Sequence, residues 1–216
     1  RRVLFRSKLY RGLKHEDEMV SYLAHCTFNM NPRAASIDTP LHAFIPKLHV
    51  DHMHPDAVIA IAAAASSESL TKEVFGPNMG WLPWQRPGFD LGIKLGEMAT
   101  KNPRLKGILL AGHGPFTWGD TSQECYEQTL RIIRKSDAWL RQKTARKVVF
   151  GGAAIPPLDP TARWRIAAEL MPVIRGRISE HQPKIGHFND SPEVLEFVCS
   201  SDLEKLAALG TSCPDH

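Results

Sequence analysis

A His-x-His pair, His52-Met53-His54, is followed about sixty residues later by a third histidine, His113, in Ala111-Gly112-His113-Gly114-Pro115-Phe116. In an extended strand residues i and i+2 project from one face, so His52 and His54 can reach a single ion. Three neutral imidazoles with an open coordination position form the pattern of a catalytic zinc site, not the closed shell of a structural one. An acidic residue lies upstream, in Ser36-Ile37-Asp38-Thr39-Pro40. Zinc stabilises an oxyanion on carbon next to a carbonyl, and a nearby carboxylate can move the proton. Asp38 has a second reading, as the cap or turn residue ahead of Thr39-Pro40. The residues alone leave both open.

Other polar residues near these motifs read as structural. Asp51 immediately precedes His52 but points to the opposite face by strand geometry. His42 and His49 are expected to support the site and not to ligate. His15, His25, His181, His187 and His216 lie in polar or loop contexts. Gly112 and Gly114 flank His113 and permit close backbone approach. Trp81 and Trp84 read as packing, and Glu73 as a solvated helix residue.

The elements that must hold these groups follow from periodicity and punctuation. Helical spacing runs from Lys14 to Leu23, with Glu16, Asp17 and Glu18 favourably placed in its first turn. Asn31 to Pro40 is loop-like, and Thr39-Pro40 can open a short helix. Lys47 to His54 reads as a strand that Pro55 must end, because proline cannot donate into a ladder. Helices are expected from Pro55 to about Ala65, from Ser67 to Phe75 and from Phe89 to Thr100, with Trp81 to Trp84 extended. Gly107 to Gly112 is a continuous apolar run, expected as a central strand buried on both faces that delivers His113 at its carboxyl end. The longest helix is expected from Thr121 to Lys143, with Cys125, Thr129, Ile132, Ile133 and Leu140 along one face. Beyond Lys147, Gly151-Gly152 and Pro156-Pro157 mark a linker-like stretch. Helices from Thr161 to Ile174 and from Ser191 to Leu209 follow it. Strands alternating with helices predict an α/β layered domain up to about residue 145.

Composition narrows the function classes. With 216 residues and 43% hydrophobic content there is ample length for a core. The formal charge of +4 owes three positive charges to Arg1, Arg2 and Arg6, leaving 24 basic against 23 acidic residues without them. Charge therefore indicates neither nucleic acid nor membrane as a partner. The four cysteines, Cys26, Cys125, Cys199 and Cys213, form no Cys-x-x-Cys pair and suit reduced thiols in a cytoplasm. The longest apolar run, Ala57 to Ala65, is too short to span a bilayer. Residues 1–7 have no periodicity joining them to the rest and read as a non-native extension, and the ending reads as an interior point of a longer protein.

Three segments in order, Ala35-Ser36-Ile37-Asp38-Thr39-Pro40-Leu41-His42, His49-Val50-Asp51-His52-Met53-His54-Pro55 and Ala111 to Phe116, resemble the class II aldolase/adducin family. Within it, the aldolase half of bifunctional rhamnulose-1-phosphate aldolase/alcohol dehydrogenases is more similar. That likeness extends from Tyr10 onward through Glu16-Asp17-Glu18-Met19-Val20, Gly119-Asp120-Thr121 with Glu124-Cys125-Tyr126, Gly186-His187-Phe188 and the ending Leu209 to His216.

The resemblance implies a three-layer α/β/α domain with a central mixed sheet over residues 8–145. A helical C-terminal extension over 146–216 would then lead toward a dehydrogenase domain that this chain does not contain. It further implies a zinc ion held by His52, His54 and His113, Asp38 as the catalytic carboxylate and Ser36 as a contact for the substrate phosphate. The implied reaction is cleavage of a ketose 1-phosphate, rhamnulose 1-phosphate, to dihydroxyacetone phosphate and L-lactaldehyde. The zinc would bind the C2 carbonyl and C3 hydroxyl oxygens while Asp38 handles the proton. A cytoplasmic homo-oligomer, a tetramer by family analogy, is also implied. The family's Gly/Asn-rich phosphate loop, which precedes the carboxylate by several dozen residues, is not in this sequence. Two alternatives stand beside this reading: a pentulose-phosphate 4-epimerase with the same metal, and a non-catalytic adducin-like interaction domain. The three histidines count against the second.

Overall fold

The computed structural model of the chain describes residues 7–27, 34–145 and 147–209. Positions 1–6 of the expected extension, 31–33 of the expected loop and the family-like ending from 210 onward lie outside the described residues. The described chain divides into two compact units, 7–145 and 147–209.

Four short strands build one sheet in the first unit: β1 (His49–His52), β2 (Met79–Leu82), β3 (Gly107–Leu110) and β4 (Pro115–Gly119). Their order is β1-β4-β3-β2. β4 runs antiparallel to both β1 and β3, whereas β2 runs parallel to β3, so the sheet is mixed. β4 has no counterpart among the strands expected from sequence. It opens on Pro115, which is tolerated as a first strand residue, and all of its residues are buried. Flanking glycines and the proline hide a run of good strand formers, Phe116-Thr117-Trp118.

The first unit has six α-helices among its described residues: α1 (Glu16–Leu23), α2 (Thr39–Phe44), α3 (Asp56–Ala62), α4 (Ser67–Phe75), α5 (Phe89–Lys101) and α6 (Ser122–Thr144), of which α1 packs on α5 through Met19, Leu23 and Phe89. Strand alternation assigns the layers. Ile108, Leu110, Phe116 and Trp118 pack with Leu41 and Ile45 at α2 and with Leu91 and Leu95 of α5. Leu109, on the other face, packs with Val58 and Ile61 of α3, Phe75 of α4 and Ile132 of α6. The result is the expected three-layer α/β/α arrangement. Full burial of Phe116 and Leu109 contributes about 2–3 kcal/mol each.

Two helix ends show local chemistry at work. Thr121 and Glu124 form a capping box, with Thr121 Oγ1 accepting from Glu124 N and Glu124 accepting at the cap backbone. This fixes the start of α6, which then buries Cys125, Thr129, Ile132 and Ser136 along one stripe. The expected Ile133 and Leu140 are only half-buried. α5 has no side-chain cap of its own. Glu16 of α1 supplies one, its Oε1 accepting the Asp90 N–H at 2.8 Å.

The second unit contains α7 (Pro160–Ile178), α8 (Pro192–Val198) and α9 (Leu203–Ala207). α7 runs past Pro172, which removes the N–H that would meet the Ala168 carbonyl. The single helix expected from Ser191 to Leu209 is two. Between them Ser200 bridges Ala153, and Ser201 N and Asp202 N donate to the Gly152 and Phe150 carbonyls. Ser200-Ser201-Asp202 prefers such local turns to a helix interior. No helix among the described residues is long and apolar enough to cross a membrane.

Candidate metal centre

β1 ends at His52, two residues short of the expected strand. His54 nevertheless returns to the same side. Met53 N stays within 3.5 Å of the Pro115 carbonyl, and Pro55 is extended at φ −74° before α3 begins. His113 sits in the β3–β4 turn and not on the strand. Its N–H donates to Leu110 O at 3.2 Å, and Gly112 beside it takes a left-handed φ of 65°. Gly114 permits the close approach. A Cβ there would lie 2.5 Å from Met53 O and 2.8 Å from His54 Cδ2.

These backbone features bring three imidazoles together. His52 Nε2 lies 2.9 Å from His54 Nε2 and 2.9 Å from His113 Nε2. One ligand atom from each ring falls within 4.8 Å of the others, and all three rings are half-buried. His52 is the hub. Its Nδ1 donates to the Pro115 carbonyl at 3.1 Å, which leaves Nε2 as the lone-pair nitrogen. The ring also stacks on Phe116, with centroids 4.0 Å apart and planes within 4°. Burial pushes the His52 imidazole down to about 3, against the Pro115 carbonyl and with the help of His113, His54 and His42. The hub is therefore neutral near pH 7, the form that ligates.

The nitrogen set fits a divalent cation. The one lone pair of His52 Nε2 faces two further Nε2 atoms at 2.9 Å, and a cation can bind all three nitrogens where a proton serves one pair. Tetrahedral zinc with bonds of about 2.0–2.1 Å separates its nitrogens by roughly 3.3 Å, so a small opening of the cluster accommodates it.

α2 is pegged to this cluster through His42, whose Nδ1 lies 3.2 Å from Val50 O and whose ring meets Phe116 edge-on at 5.4 Å. Asp38 occupies the N-cap position of α2, one turn before His42, and His42 N donates to Asp38 O at 3.2 Å. Residues four apart share a helix face, so Asp38 and His42 lie on one side of α2. Asp38 thus stands at the cap position of the alternative reading, although its side chain makes no capping hydrogen bond. Exposed Ser36 accepts the Asp38 N–H on Oγ at 3.1 Å, and its carbonyl accepts the Thr39 N–H at 3.0 Å. The structure thus joins the histidines in one cluster, and Ser36 and Asp38 in one turn.

The remaining residues divide clearly. Asp51 faces α6, as strand alternation requires, and His49 is exposed at the start of β1. Trp81 donates to Ser67 Oγ at 3.1 Å, while Trp84 is 67% exposed beside Gly112. Glu73 is more than solvated, since it accepts from Trp139 Nε1 at 3.0 Å and pairs with Lys143 at 3.2 Å. Sequence reasoning missed the Pro115 carbonyl and Phe116 as the supports of His52. Strand pairing makes them neighbours, and no local pattern announces it.

Comparison with known proteins gives the arrangement a family. Residues 7–139 match the class II aldolase and adducin N-terminal domain, and residues 165–216 match the second domain of class II aldolase. An uncharacterized oxidoreductase, YuxG of Bacillus subtilis (strain 168), is 39% identical over 211 residues, 98% of this chain. The chain spans 31% of that protein's length. The solved N-terminal class II aldolase domain of a conserved protein from Thermoplasma acidophilum is 30% identical, covering 65% of this chain and 63% of that one, with a TM-score of 0.57. With a family match running over well more than half of its residues, this chain belongs to the class II aldolase and adducin family.

Proposed function

We propose that the chain carries the zinc centre of an aldolase that cleaves rhamnulose 1-phosphate to dihydroxyacetone phosphate and L-lactaldehyde. The observation that carries this reading is the convergence of three imidazole nitrogens, two of them 2.9 Å from the neutral hub His52. Zinc bound by His52, His54 and His113 would polarise the ketose C2 carbonyl and C3 hydroxyl oxygens and offset the charge that develops as C3–C4 breaks. Asp38, free of capping duty, handles the proton at the carbon of the departing dihydroxyacetone phosphate. Ser36 Oγ already accepts the Asp38 N–H, which leaves its own proton for a phosphate oxygen. In the whole protein a dehydrogenase part would oxidise the aldehyde, in keeping with a relative named as an oxidoreductase and about three times as long. A cytoplasmic tetramer accompanies this reading.

The test begins with zinc stoichiometry of the whole protein. About one zinc per chain is expected in wild type and none in a His52→Ala/His54→Ala double variant. Asp38→Asn should keep the metal and lose turnover by about 100-fold or more. Zinc absent from folded wild type would sink the reading and favour an adducin-like interaction domain. The nearest enzymatic alternative is a pentulose-phosphate 4-epimerase, favoured by an aspartate at position 38. An epimerised pentulose phosphate in place of lactaldehyde would identify it.

A further inference from the structure

On the reverse side of β1 lies a polar cluster that the metal reading does not use. Asp51 pairs with Thr117 across the β1–β4 ladder. Asp51 Oδ2 accepts from Thr129 Oγ1 of α6 at 3.1 Å, and Thr129 Oγ1 lies 2.6 Å from Thr117 Oγ1. Thr129 Oγ1 also lies 3.1 Å from the Cys125 carbonyl, so its one proton is shared between that carbonyl and Asp51, and Thr117 is the donor to Thr129. Thr117 and Thr129 are 1% and 5% exposed, so bulk water does not compete for these bonds. Cys125 adjoins the group, its thiol pushed up to about 11 by burial first and then by the charge of Asp51.

The position of this cluster gives it consequence. Asp51–Thr117 and His52–Phe116 are consecutive rungs of the same ladder. The second rung holds the His52 ring on Phe116, and the residue before it, Pro115, supplies the carbonyl for Nδ1. β1 is an edge strand of four residues that, among the described residues, pairs with β4 alone. So short a ladder fixes its own register weakly, and a slip of one residue would turn His52 to the α6 face. A polar latch at the neighbouring rung opposes that slip, because moving it would take the Asp51 carboxylate from Thr129, which itself stays bonded to Thr117 and the Cys125 carbonyl.

We propose that Asp51 is a positioning residue for the metal centre, locking β1 through Thr129 and Thr117 to α6 so that His52 is presented in ligating orientation. The inference rests on the histidine cluster being a metal site. The alternative is that Asp51 only helps the sheet pack on α6.

Zinc affinity of the whole protein, measured by competition with a chromogenic chelator, separates the two when read beside the visible spectrum of the cobalt-loaded protein. Asp51→Ala should bind zinc about 10–100-fold more weakly and shift the cobalt bands, with unfolding still cooperative. Asp51→Asn keeps an oxygen that accepts from Thr129 and should recover most of the affinity. Thr129→Val removes the donor from the helix side and should match Asp51→Ala, which keeps the test available if that variant does not fold. Wild-type affinity and an unchanged cobalt spectrum in Asp51→Ala or Thr129→Val would overturn the proposal. So would Asp51→Asn binding as weakly as Asp51→Ala, since the hydrogen bond would then not be what matters. Wild type that fails to bind zinc is a separate outcome, overturning the metal reading itself before any variant is compared.

Discussion

Residues 7–145 and 147–209 differ in where their stability resides. The first unit buries both faces of its sheet, with Phe116, Ile108, Leu109, Leu41, Leu91 and Leu95 essentially inaccessible. In the second, Ala167 is the one buried apolar side chain among the described residues, and α7 exposes Trp164 at 60%, Leu170 at 52% and Val173 at 54%. Its contacts are mostly capping and backbone hydrogen bonds, with the Arg163–Asp190 ion pair and the Phe150–Phe197 and Trp164–Phe188 ring pairs: Asp159 caps α7 at Ala162 N, and the segment around Gly152 pairs with the one around Ser200. Such bonds contribute little net stability each, whereas burial grows with area. A catalytic centre needs ligands held within tenths of an ångström, and in this chain the histidines stand on the unit that has a core to hold them.

Equivalent truncations in the two units give the widest contrast. Phe116→Ala should cost about 3–5 kcal/mol, because it empties the core and removes the platform under His52. Leu170→Ala should cost no more than about 0.5 kcal/mol. Denaturant unfolding of both variants measures this, and equal costs would break the comparison. Gly114→Ala comes next, at about 1–3 kcal/mol of overpacking, since the new methyl meets Met53 O and His54 Cδ2. Zinc affinity should fall with it, and unchanged binding would show that His54 tolerates displacement. Thr121→Ala removes one half of the capping box and should destabilise by about 1 kcal/mol, read as a drop in melting temperature. The smallest perturbation is none at all. Native-state hydrogen exchange should protect β3 and β4 most strongly and α7 least, and comparable protection across both units would contradict the difference in burial.

Much of the arrangement is legible in the sequence where a local signal exists. Ser67–Phe75 matches the expected helix, and the starts of the helices at Phe89 and Ser122 fall where punctuation placed them. The expected histidine trio is one cluster. What failed was non-local. β4 carries a proline and two bounding glycines, so its pairing with β1 and β3 could not be read from the run itself. His113 was expected at a strand end but stands in a hairpin turn, a consequence of that same missed strand. The break at Ser200 has a local signal in Ser200-Ser201-Asp202 that helical periodicity passes over, and a partner nearly fifty residues earlier, Ala153, that no local pattern registers.

Which groups are available and which stretches become helix is written locally along the chain: the imidazoles, a carboxylate ahead of Thr39-Pro40, caps, prolines and apolar periods are read within a few residues of themselves. What those groups do together depends on packing. The antiparallel placement of β4 supplies the carbonyl that sets the His52 tautomer, the ring on which His52 rests and the hydroxyl behind Asp51. The carbonyl and the ring each meet His52 from more than sixty positions away, and only the packing of the sheet between its helices brings them within reach.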